Sequence, residues 1–458
     1  MPIFPSSLQT YTLASHPAGK DIMRIMTAGL NAVDPHLAVT HFLHRENDVL
    51  FAGNQTIDLN KINRIFVIGI GKAAIPMTCA IEDIVGNLVT KGVVVTKKGR
   101  SKIDFSLPTK FTIVEAGHPL PDQQSIAGAQ QVINLLSKAS SDDLILCNIS
   151  GGGSALMTSP IPGITLDEIQ TLTSQLLACG ATIDEINTIR KHIDYVKGGG
   201  LLAQASSSQW VSLILSDVIG DPIDRIASGP TAPDPSTYRD AYNIIERYQL
   251  LDQAPVSIIA HLNQGIQKRI SETLKPGNPI FHHINNLIVG NNTIAATASL
   301  REAEQAGYKT LLLSTSIQGE ASQVGLFFGA IAQQISRTNQ PIPRPACIIS
   351  GGETTVTLHG KGHGGRNQEV ALGAVLPFAG LENIFFITLA TDGGDGPTDA
   401  AGAVVSGNTL ERALHLGLNP HEFLNRNDSY NFFNPLKDLL KPGSTLTNVG
   451  DLTYLFAF

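Results

Sequence analysis

The stretch IFVIGIGKAA, residues 65–74, carries the clearest indication of how this chain folds. It begins with six residues that are apolar or glycine, a run typical of a strand buried on both faces. Gly71 and Lys72 then interrupt the run, and the two alanines behind them favour a helix. A strand that passes through a tight turn into a helix is the first part of a β-α-β unit, so this stretch predicts a parallel sheet.

The same alternation continues along the rest of the chain. Apolar, β-branched runs predict further strands at 92–96, 111–115, 144–149, 211–216, 286–290, 310–314, 347–350 and 384–390. Helical stretches separate several of these runs, for example at 125–138 and 293–307. We therefore predict the α/β class, with parallel sheets and helical crossovers.

Two proline-bearing stretches divide this pattern. GPTAPDPSTYRD covers residues 229–240, and KPGNP covers residues 275–279. Polar segments rich in proline and glycine are typical of linkers between domains. We place a domain boundary in this region, with an N-terminal domain at 1–250 and a C-terminal domain at 251–458.

The composition is that of a globular chain with a slightly acidic balance. Of the 458 residues, 42% are hydrophobic and 16% are charged, and the net charge is −7. This balance argues against a nucleic-acid-binding surface, and no apolar run approaches the ~18 residues that span a bilayer. The N-terminus lacks a basic start followed by an apolar core, so we expect no secretory signal. The four cysteines show no CxxC spacing, which predicts reduced core thiols and a cytoplasmic location.

Two glycine turns follow predicted strands and are candidate anion sites. Gly71 and Lys72 end the strand at 65–70, where backbone N–H groups and a lysine charge could meet a phosphate. A plain turn with a solvated lysine is the alternative. The second turn, after the strand at 144–149, could form a backbone nest for phosphate oxygens. Its residues are Ser150, Gly151, Gly152, Gly153 and Ser154.

Charged residues near other predicted strand ends add candidates in the first half. Arg190 and Lys191 are suited to a carboxylate or phosphate, although lone basic residues on a helix usually lie in water. Asp217 and Asp221 follow the strand at 211–216 and could hold Mg²⁺ or accept a hydroxyl proton. Ser228 lies in the S-G-P-T loop close behind them and is a candidate for substrate binding.

The second half repeats this arrangement of glycine loops and charges. Gly352 and Glu353 follow the strand at 347–350 in the segment SGGET. A glycine-rich loop then leads to Arg366 and Asn367 at the predicted start of a helix. The strand at 384–390 ends in TDGGDGPTD, whose aspartates suit a hard cation or a hydroxyl group. From this loop we select Asp392 and Asp395 as substrate-binding candidates.

Taken together, these segments resemble the type II glycerate kinases, whose C-terminal half carries a MOFRL domain. The resemblance follows, in order, GIGKAA, EAGHPLPD, SGGGSALM, RKHIDYVKGGGLL, SDVIGDP, ASGPTAPDPST, SGGETTVTLHGKGHGGRNQE and ATDGGDGPTDAAGA. It implies a Rossmann-like N-terminal domain and a C-terminal α/β domain with a MOFRL-type region at about 345–452. Near the C-terminus, this chain has Gly450 where the family pattern has asparagine.

The resemblance also implies an activity. It implies phosphorylation of D-glycerate by ATP with Mg²⁺ in an interdomain cleft, most often at the 2-hydroxyl. Lys72 and Arg366 match the family's positively charged active-site positions, and Asp217 and Asp221 match its SDV-GDP motif. We assign Lys72 and the Gly151–Ser154 nest to substrate anions and Arg366 to the transferring group. The expected partners are D-glycerate and a nucleotide, and a homodimer is one of the oligomeric states that the sequence leaves open.

Two other functions compete with this assignment. The first is a hydroxypyruvate or tartronate reductase using NAD(P)H, which needs a dinucleotide fingerprint with an acidic residue about 20 positions later. GIGKAA approximates that fingerprint, but the strand at 92–96 supplies no acidic end. The second is a non-catalytic protein that binds a sugar acid or a nucleotide. Loss of Lys72 or of the aspartates would indicate such a protein, and this chain retains them.

Overall fold

The structure is a computed structural model that describes residues 3–99 and 106–458. The chain forms two compact units. The central unit is Ala38–Val289, and the terminal unit combines Met1–Leu37 with Gly290–Phe458. Each unit contains a six-stranded sheet and helices, so the predicted α/β class is confirmed.

The central unit opens with a small antiparallel sheet that the sequence did not predict. Its strands are β1 (Leu43–Glu46), β2 (Val49–Ala52) and β3 (Gln55–Asp58). The large sheet follows, with β4 (Arg64–Ile70), β5 (Val89–Lys97), β6 (Phe111–Ala116), β7 (Asp143–Ile149), β8 (Gln209–Leu215) and β9 (Ile284–Gly290). Its spatial order is β6-β5-β4-β7-β8-β9.

This strand order determines where a ligand can bind. The pairs β4–β5, β5–β6, β4–β7 and β7–β8 are all parallel. Counted from β4, the order is the 3-2-1-4-5-6 arrangement of Rossmann folds, as the resemblance implied. The chain leaves β4 towards one edge of the sheet and leaves β7 towards the other. Such a switch point opens a crevice at the carboxyl ends of the two strands, which is the usual ligand site of this fold.

Helices complete the central unit. They are α3 (Pro35–Phe42, across the unit boundary), α4 (Ala74–Val85), α5 (Gln123–Leu136), α6 (Gly153–Leu156), α7 (Leu166–Ala178), α8 (Ile183–His192), α9 (Gly200–Ala203), α10 (Tyr238–Arg247) and α11 (Val256–Ile266). Every residue of β7 is buried, including Asp143, whose carboxylate pairs with Arg64 at 2.7 Å. The buried carboxylate at the start of β7 is therefore neutralised by an ion pair. The fully buried Trp210 of β8 belongs to the same apolar cluster as Ile145 and Ile149 of β7.

The terminal unit is built on a mixed sheet. Its strands are β10 (Lys309–Ile317), β11 (Ala346–Gly352), β12 (Ile384–Ala390), β13 (Gly402–Ser406), β14 (Leu439–Leu440) and β15 (Asp451–Ala457), in the spatial order β10-β11-β15-β12-β13-β14. The final strand, β15, is antiparallel to both β11 and β12. Its first residue, Asp451, therefore lies at the same edge as the carboxyl ends of β11 and β12.

The helices of the terminal unit come from both ends of the chain. They are α1 (Tyr11–Ala14), α2 (Gly19–Ala32), α12 (Asn292–Gln305), α13 (Ala321–Thr338), α14 (Arg366–Phe378), α15 (Thr409–His415), α16 (Pro420–Asn425) and α17 (Ser429–Leu436). Phe328, Phe378, Phe386 and Leu455 are among the buried residues of one apolar cluster between helices and sheet. No helix of the residues that the structure describes is long and apolar enough to cross a bilayer.

The observed division differs from the predicted boundary at 250/251. The strand β9, which we placed in the C-terminal half, is a neighbour of β8 in the central sheet. The N-terminal helix α2 packs against α12, where Ser299 Oγ donates a hydrogen bond to the Ile25 carbonyl at 3.0 Å. A Cβ at Gly29 would lie only 2.3 Å from that same hydroxyl oxygen. These are contacts between distant parts of the chain, which local composition does not report.

The cysteines follow the prediction in three cases. Cys79, Cys147 and Cys347 are free and buried, whereas Cys179 is exposed. Cys179 directly follows the last residue of α7, where the helix ends at the surface. The expectation of four core thiols is therefore wrong for Cys179.

Candidate active site

The two turns at the switch point of the central sheet are joined to each other. The Lys72 backbone N–H donates to the Gly151 carbonyl at 3.0 Å, and the Ala73 N–H donates to Ser150 Oγ at 3.0 Å. Gly71 has a φ of +121°, and a Cβ there would lie 2.3 Å from Ser150 Oγ. Only glycine allows this approach. The Ser150 side chain holds the turns together, so the geometry does not support its predicted contact with phosphate.

Side chains from three other segments close over the glycine turn. A Cβ at Gly151 would lie 2.1 Å from Asp217 Oδ2, and one at Gly153 would lie 2.8 Å from the Ala227 Cβ. A Cβ at Gly152, whose φ is +83°, would lie 2.9 Å from His118 Cδ2 and 3.2 Å from Lys72 Cε. The three glycines therefore leave room in which charged side chains approach the backbone of the turn closely.

Lys72 and Asp217 face this turn with opposite charges. Burial raises the pKa of Asp217, and the positive charge of Lys72 acts in the opposite direction. A carboxylate beside a lysine and backbone N–H groups can hold a cation against phosphate oxygens or accept a proton. The structure thus brings together Gly71, Lys72, the glycine turn and Asp217.

A second group of polar side chains adjoins the turn. Ser154 Oγ and Ser228 Oγ are 2.6 Å apart, and Ser228 Oγ donates to Asn187 Oδ1 at 3.0 Å. An Arg190 Nη atom donates to Ser154 Oγ at 3.4 Å. Ser228 is fully buried and has a φ of +62°, a strained conformation for a non-glycine residue. Strain of this kind is concentrated at binding sites, where the surrounding structure holds it.

The Arg190 guanidinium is partly buried on α8. Burial lowers its pKa to about 10, and the charge of Asp194 only partly opposes that effect. Among the described residues, no carboxylate forms an ion pair with Arg190. Burying a cation costs free energy unless it is paired, so this arrangement is suited to an anion.

Two of the residues that the sequence selected lie elsewhere in the central unit. Lys191 is buried and pairs with Asp234 Oδ1 at 2.7 Å and with Asp224 Oδ2 at 3.6 Å. Its charge is therefore neutralised by two carboxylates of the protein, and the geometry does not support the predicted contact with substrate. Asp221 lies in a turn with a φ of +55°, where its N–H donates to the Val218 carbonyl. Only Asp217 of the two aspartates is seen against the glycine turn.

The sequence reasoning missed His118. It lies in EAGHPLPD, one of the segments that match the family, but the sequence analysis assigned no role to this histidine. The signal was a histidine shortly after β6, at the same edge of the sheet as the glycine turns. The neighbouring strand β5 ends in Thr96 and Lys97, so the acidic residue of a dinucleotide site is absent from that strand end.

The terminal unit has its own cluster of charges at the sheet edge. Arg366, at the start of α14, donates to both carboxylate oxygens of Asp451, at 2.5 Å and 2.9 Å. A third nitrogen of the guanidinium lies 3.1 Å from Glu353 Oε1. Burial alone would lower the pKa of Arg366, but these carboxylates raise it above its ordinary value. Arg366 therefore already has two counter-charges, which the sequence did not indicate.

The other candidates of the terminal unit surround this ion pair. Asn367 Nδ2 donates to Asp451 Oδ1 at 2.8 Å. The buried Asp395 accepts the N–H groups of Asn367 and Gln368, and burial raises its pKa to about 7. It thus caps the first turn of α14. Asp392 is exposed, and its Oδ1 accepts the Gly394 N–H.

Two glycines of this edge have positive φ angles. Gly352 ends β11 with a φ of +149°, and a Cβ there would lie 2.1 Å from the Ile317 carbonyl oxygen. Gly450 precedes Asp451 with a φ of +82°. Asparagine is among the few other residues that adopt this conformation readily, so the glycine in place of the family's asparagine is compatible with the same backbone.

Comparison with known proteins adds a family to this geometry. Residues 21–263 match a domain described as a domain of unknown function, DUF4147, and residues 346–451 match the MOFRL family. The chain is 40% identical to the glycerate 2-kinase of Pyrococcus horikoshii, over 94% of this chain and 95% of that protein. The crystal structure of glycerate kinase from Thermotoga maritima superposes with a TM-score of 0.84 at 37% identity, covering 96% of this chain and 99% of that one.

Some relatives have a different name. A protein of Agrobacterium vitis called a putative hydroxypyruvate reductase is 38% identical over 94% of this chain and 92% of its own length. Its name corresponds to the first of the two competing functions.

Proposed function

Because this chain belongs to the glycerate kinase family, we propose that it transfers the γ-phosphoryl group of ATP to D-glycerate, giving 2-phosphoglycerate. One observation carries the proposal at the level of the site. Lys72 and Asp217 face a turn of three glycines at the switch point of a Rossmann sheet. Phosphoryl transfer depends mainly on positioning and on neutralising charge, and these residues are suited to both.

We assign the group of Ser154, Ser228 and Arg190 to the acceptor substrate. The carboxylate of glycerate is a small planar anion that a guanidinium binds well. The hydroxyl of the half-buried Ser154 lies beside Arg190 and can exchange hydrogen bonds with the hydroxyl groups of the substrate, and the buried Ser228 hydroxyl, 2.6 Å away, holds it in position. This assignment places the substrate between a fixed cation and the glycine turn.

Mg²⁺ fits the proposed site through Asp217. No group of three or more His, Cys, Asp or Glu side chains in the described part of the chain could hold a metal ion by itself. Kinases commonly bind Mg²⁺ through one or two carboxylates and the phosphates of the nucleotide, and Asp217 supplies one such carboxylate beside Lys72. The bound cation would neutralise charge on the phosphates during transfer. Asp221 is the second carboxylate of the same loop and the alternative ligand or proton acceptor.

The chain's own groups then account for the rest of the reaction. Lys72 and the backbone N–H groups of the glycine turn hold the phosphoryl group, while Arg190 holds the acceptor. The hydroxyl oxygen forms a bond to the γ-phosphorus as the bond to ADP breaks, and the hydroxyl proton passes to a carboxylate of the Asp217 loop. The cytoplasmic location and the position of the site in a cleft between two domains stay predictions of the sequence.

The test is identification of the product by phosphorus NMR. Purified protein with ATP, D-glycerate and Mg²⁺ should form ADP and 2-phosphoglycerate, and chelation of the metal should stop the reaction. In a parallel assay, the protein should not oxidise NADH in the presence of hydroxypyruvate. Metal-independent oxidation of NADH without phosphoglycerate formation would overturn the kinase proposal in favour of a reductase.

A further inference from the structure

His118 lies directly against the glycine turn, and no role has been assigned to it so far. Its Nε2 is 3.1 Å from the position that a Cβ of Gly152 would occupy, and its Cδ2 is 2.9 Å from the same point. Lys72 Cε borders that point from another segment, at 3.2 Å. The imidazole is half-buried, and its ring nitrogens form no hydrogen bond with any residue in the described part of the chain.

The surroundings of His118 are cationic. The charges that act on it come from Lys72 behind β4, Lys97 at the end of β5 and Arg190 on α8. Burial, followed by these three cations, lowers the pKa of His118 to about 4. Since no carboxylate of the described residues is among the charges that act on it, the ring is neutral at physiological pH before an anion binds.

This combination is typical of a group that faces an anion. An imidazole with unused nitrogens, placed between cations against the half-buried Gly152, has no structural function that the described contacts reveal. An anion bound at the turn would lie within reach of the ring. Its negative charge would offset the three cations and would favour the protonated ring, in which both nitrogens are donors.

We propose that His118 contacts the anionic end of the bound substrate and takes up a proton from solvent when that anion binds. The inference rests on the proposed function, because it names a further residue of the same site. The shared chemistry of the ligand is a group of anionic oxygens, which either the carboxylate of glycerate or the phosphates of ATP can supply. The imidazolium then donates a hydrogen bond to one of these oxygens, and no covalent bond is formed or broken.

The direct test is NMR of protein carrying ¹³C-labelled histidine. The variant His118→Gln identifies the signal of His118, which should titrate near pH 4 in the free protein. Saturating D-glycerate in one sample and a magnesium complex of a non-hydrolysable ATP analogue in another distinguish the two sources of anion. One of them should raise the pKa of His118 by about two units or more, because a rise from about 4 to about 6 leaves roughly half of the rings protonated at pH 6. An unchanged pKa under both ligands at saturation would overturn the inference.

Calorimetry gives an independent measurement of the proton. Titration at pH 6 in buffers of different ionisation enthalpy should show proton uptake on anion binding by the natural protein. His118→Gln keeps a hydrogen-bond donor near the position of Nε2 but cannot take up a proton, so the uptake should disappear while KM for the contacted substrate rises about 10-fold. The control variant His415→Gln changes an exposed histidine of the terminal unit and should behave like the natural protein. Proton uptake that persists in His118→Gln would contradict the inference.

The outcomes separate this inference from the proposed function. A protein that phosphorylates D-glycerate but shows neither the pKa shift nor the proton uptake retains its function and loses the role of His118. A protein without kinase activity, whose His118 still responds to a magnesium nucleotide, retains the anion contact and loses the proposed function. The first result would overturn the role of His118 alone, and the second would overturn the kinase proposal alone.

Discussion

Arg366 and Asp451 are separated by 85 residues in the chain, yet the guanidinium of one donates two hydrogen bonds to the carboxylate of the other. The pair forms because α14 begins, and β15 starts, at the edge of the terminal sheet where β11 and β12 end. Glu353 binds the remaining guanidinium nitrogen, and Asn367 binds the same carboxylate. Arg366, which the resemblance matches to a positively charged position of the family, is thus held in one orientation by Asp451 and Glu353.

Changing Asp451 should therefore act through Arg366. In Asp451→Ala, the partly buried guanidinium of Arg366 loses its bidentate carboxylate partner. We expect the free energy of unfolding to fall by about 3 kcal/mol. Asp451→Asn keeps one acceptor and should cost less stability. Denaturant unfolding measures these losses. Steady-state kinetics of Asp451→Asn should show a lower kcat than that of the natural protein. An unchanged kcat would show that the orientation of Arg366 does not affect turnover.

Removal of the Lys72 charge should reduce activity while preserving the fold. Since Lys72 faces the glycine turn and Asp217, Lys72→Ala should lower kcat/KM by about 10²-fold or more. The matched control is Lys61→Ala, a lysine of the same unit whose side chain is 81% exposed. Kinetics and thermal unfolding of the two variants should differ only in activity. Equal turnover of both would mean that Lys72 is an ordinary residue of a turn.

Arg190 and Lys191 are adjacent in sequence, and the structure predicts opposite consequences for them. Arg190 adjoins Ser154 and forms no ion pair with a described residue, so Arg190→Gln should raise KM for glycerate by about 10-fold or more and change stability little. Lys191 lies in a buried pair with Asp234. Burial alone would raise the pKa of Asp234, and the Lys191 hydrogen bond helps to hold it below its ordinary value.

Removal of Lys191 leaves the buried Asp234 carboxylate with hydrogen bonds from Ser236 and Thr273 but without its lysine counter-charge. Lys191→Met should thus cost about 3–5 kcal/mol in the free energy of unfolding. Chemical denaturation and glycerate kinetics of both variants provide the comparison. A stable Lys191→Met protein with a raised KM would reverse our assignment of these two residues.

Glu369 should make the stability of the protein depend on pH. It is 4% exposed on α14, and burial, with smaller contributions from Glu320 and Asp395, raises its pKa to about 7. A carboxyl group whose pKa is higher in the folded state favours folding when protonated. Its contribution is present at pH values below its ordinary pKa and is lost as pH rises through about 7.

The variant Glu369→Gln tests this dependence because an amide imitates the protonated acid. Asn427 Nδ2, which donates to Glu369 Oε1 at 3.2 Å, can donate to the glutamine oxygen as well. At pH 8 we expect the variant to be about 2 kcal/mol more stable than the natural protein, and at pH 4.5 we expect equal stability. Urea unfolding at several pH values measures the difference. Part of the slope should remain in the variant because Asp395, with a pKa of about 7, titrates in the same direction.

The local sequence determined the class of the fold and the two glycine turns of the candidate site. Strand, glycine turn and helix follow each other within a few residues at 65–74 and again at 144–156, so periodicity and turn chemistry were sufficient to predict them. Parallel strands place their carboxyl ends at one edge, and the grouping of Lys72 with the Gly151–Gly153 turn followed from that rule. These features depend on interactions between near neighbours in the chain, which a sequence displays directly.

Only the tertiary structure decided which charges remain available for a ligand. Lys191 and Arg366 look like free cations in the sequence, but Asp234 and Asp451 meet them through contacts across 43 and 85 positions. His118 and Arg190 look ordinary, yet both are partly buried, and neither forms an ion pair with a carboxylate among the described residues. The division into units was hidden for the same reason, since α2 packs against α12 from the far end of the chain. Burial and ion pairing are properties of the folded surface, and residue order alone does not specify them.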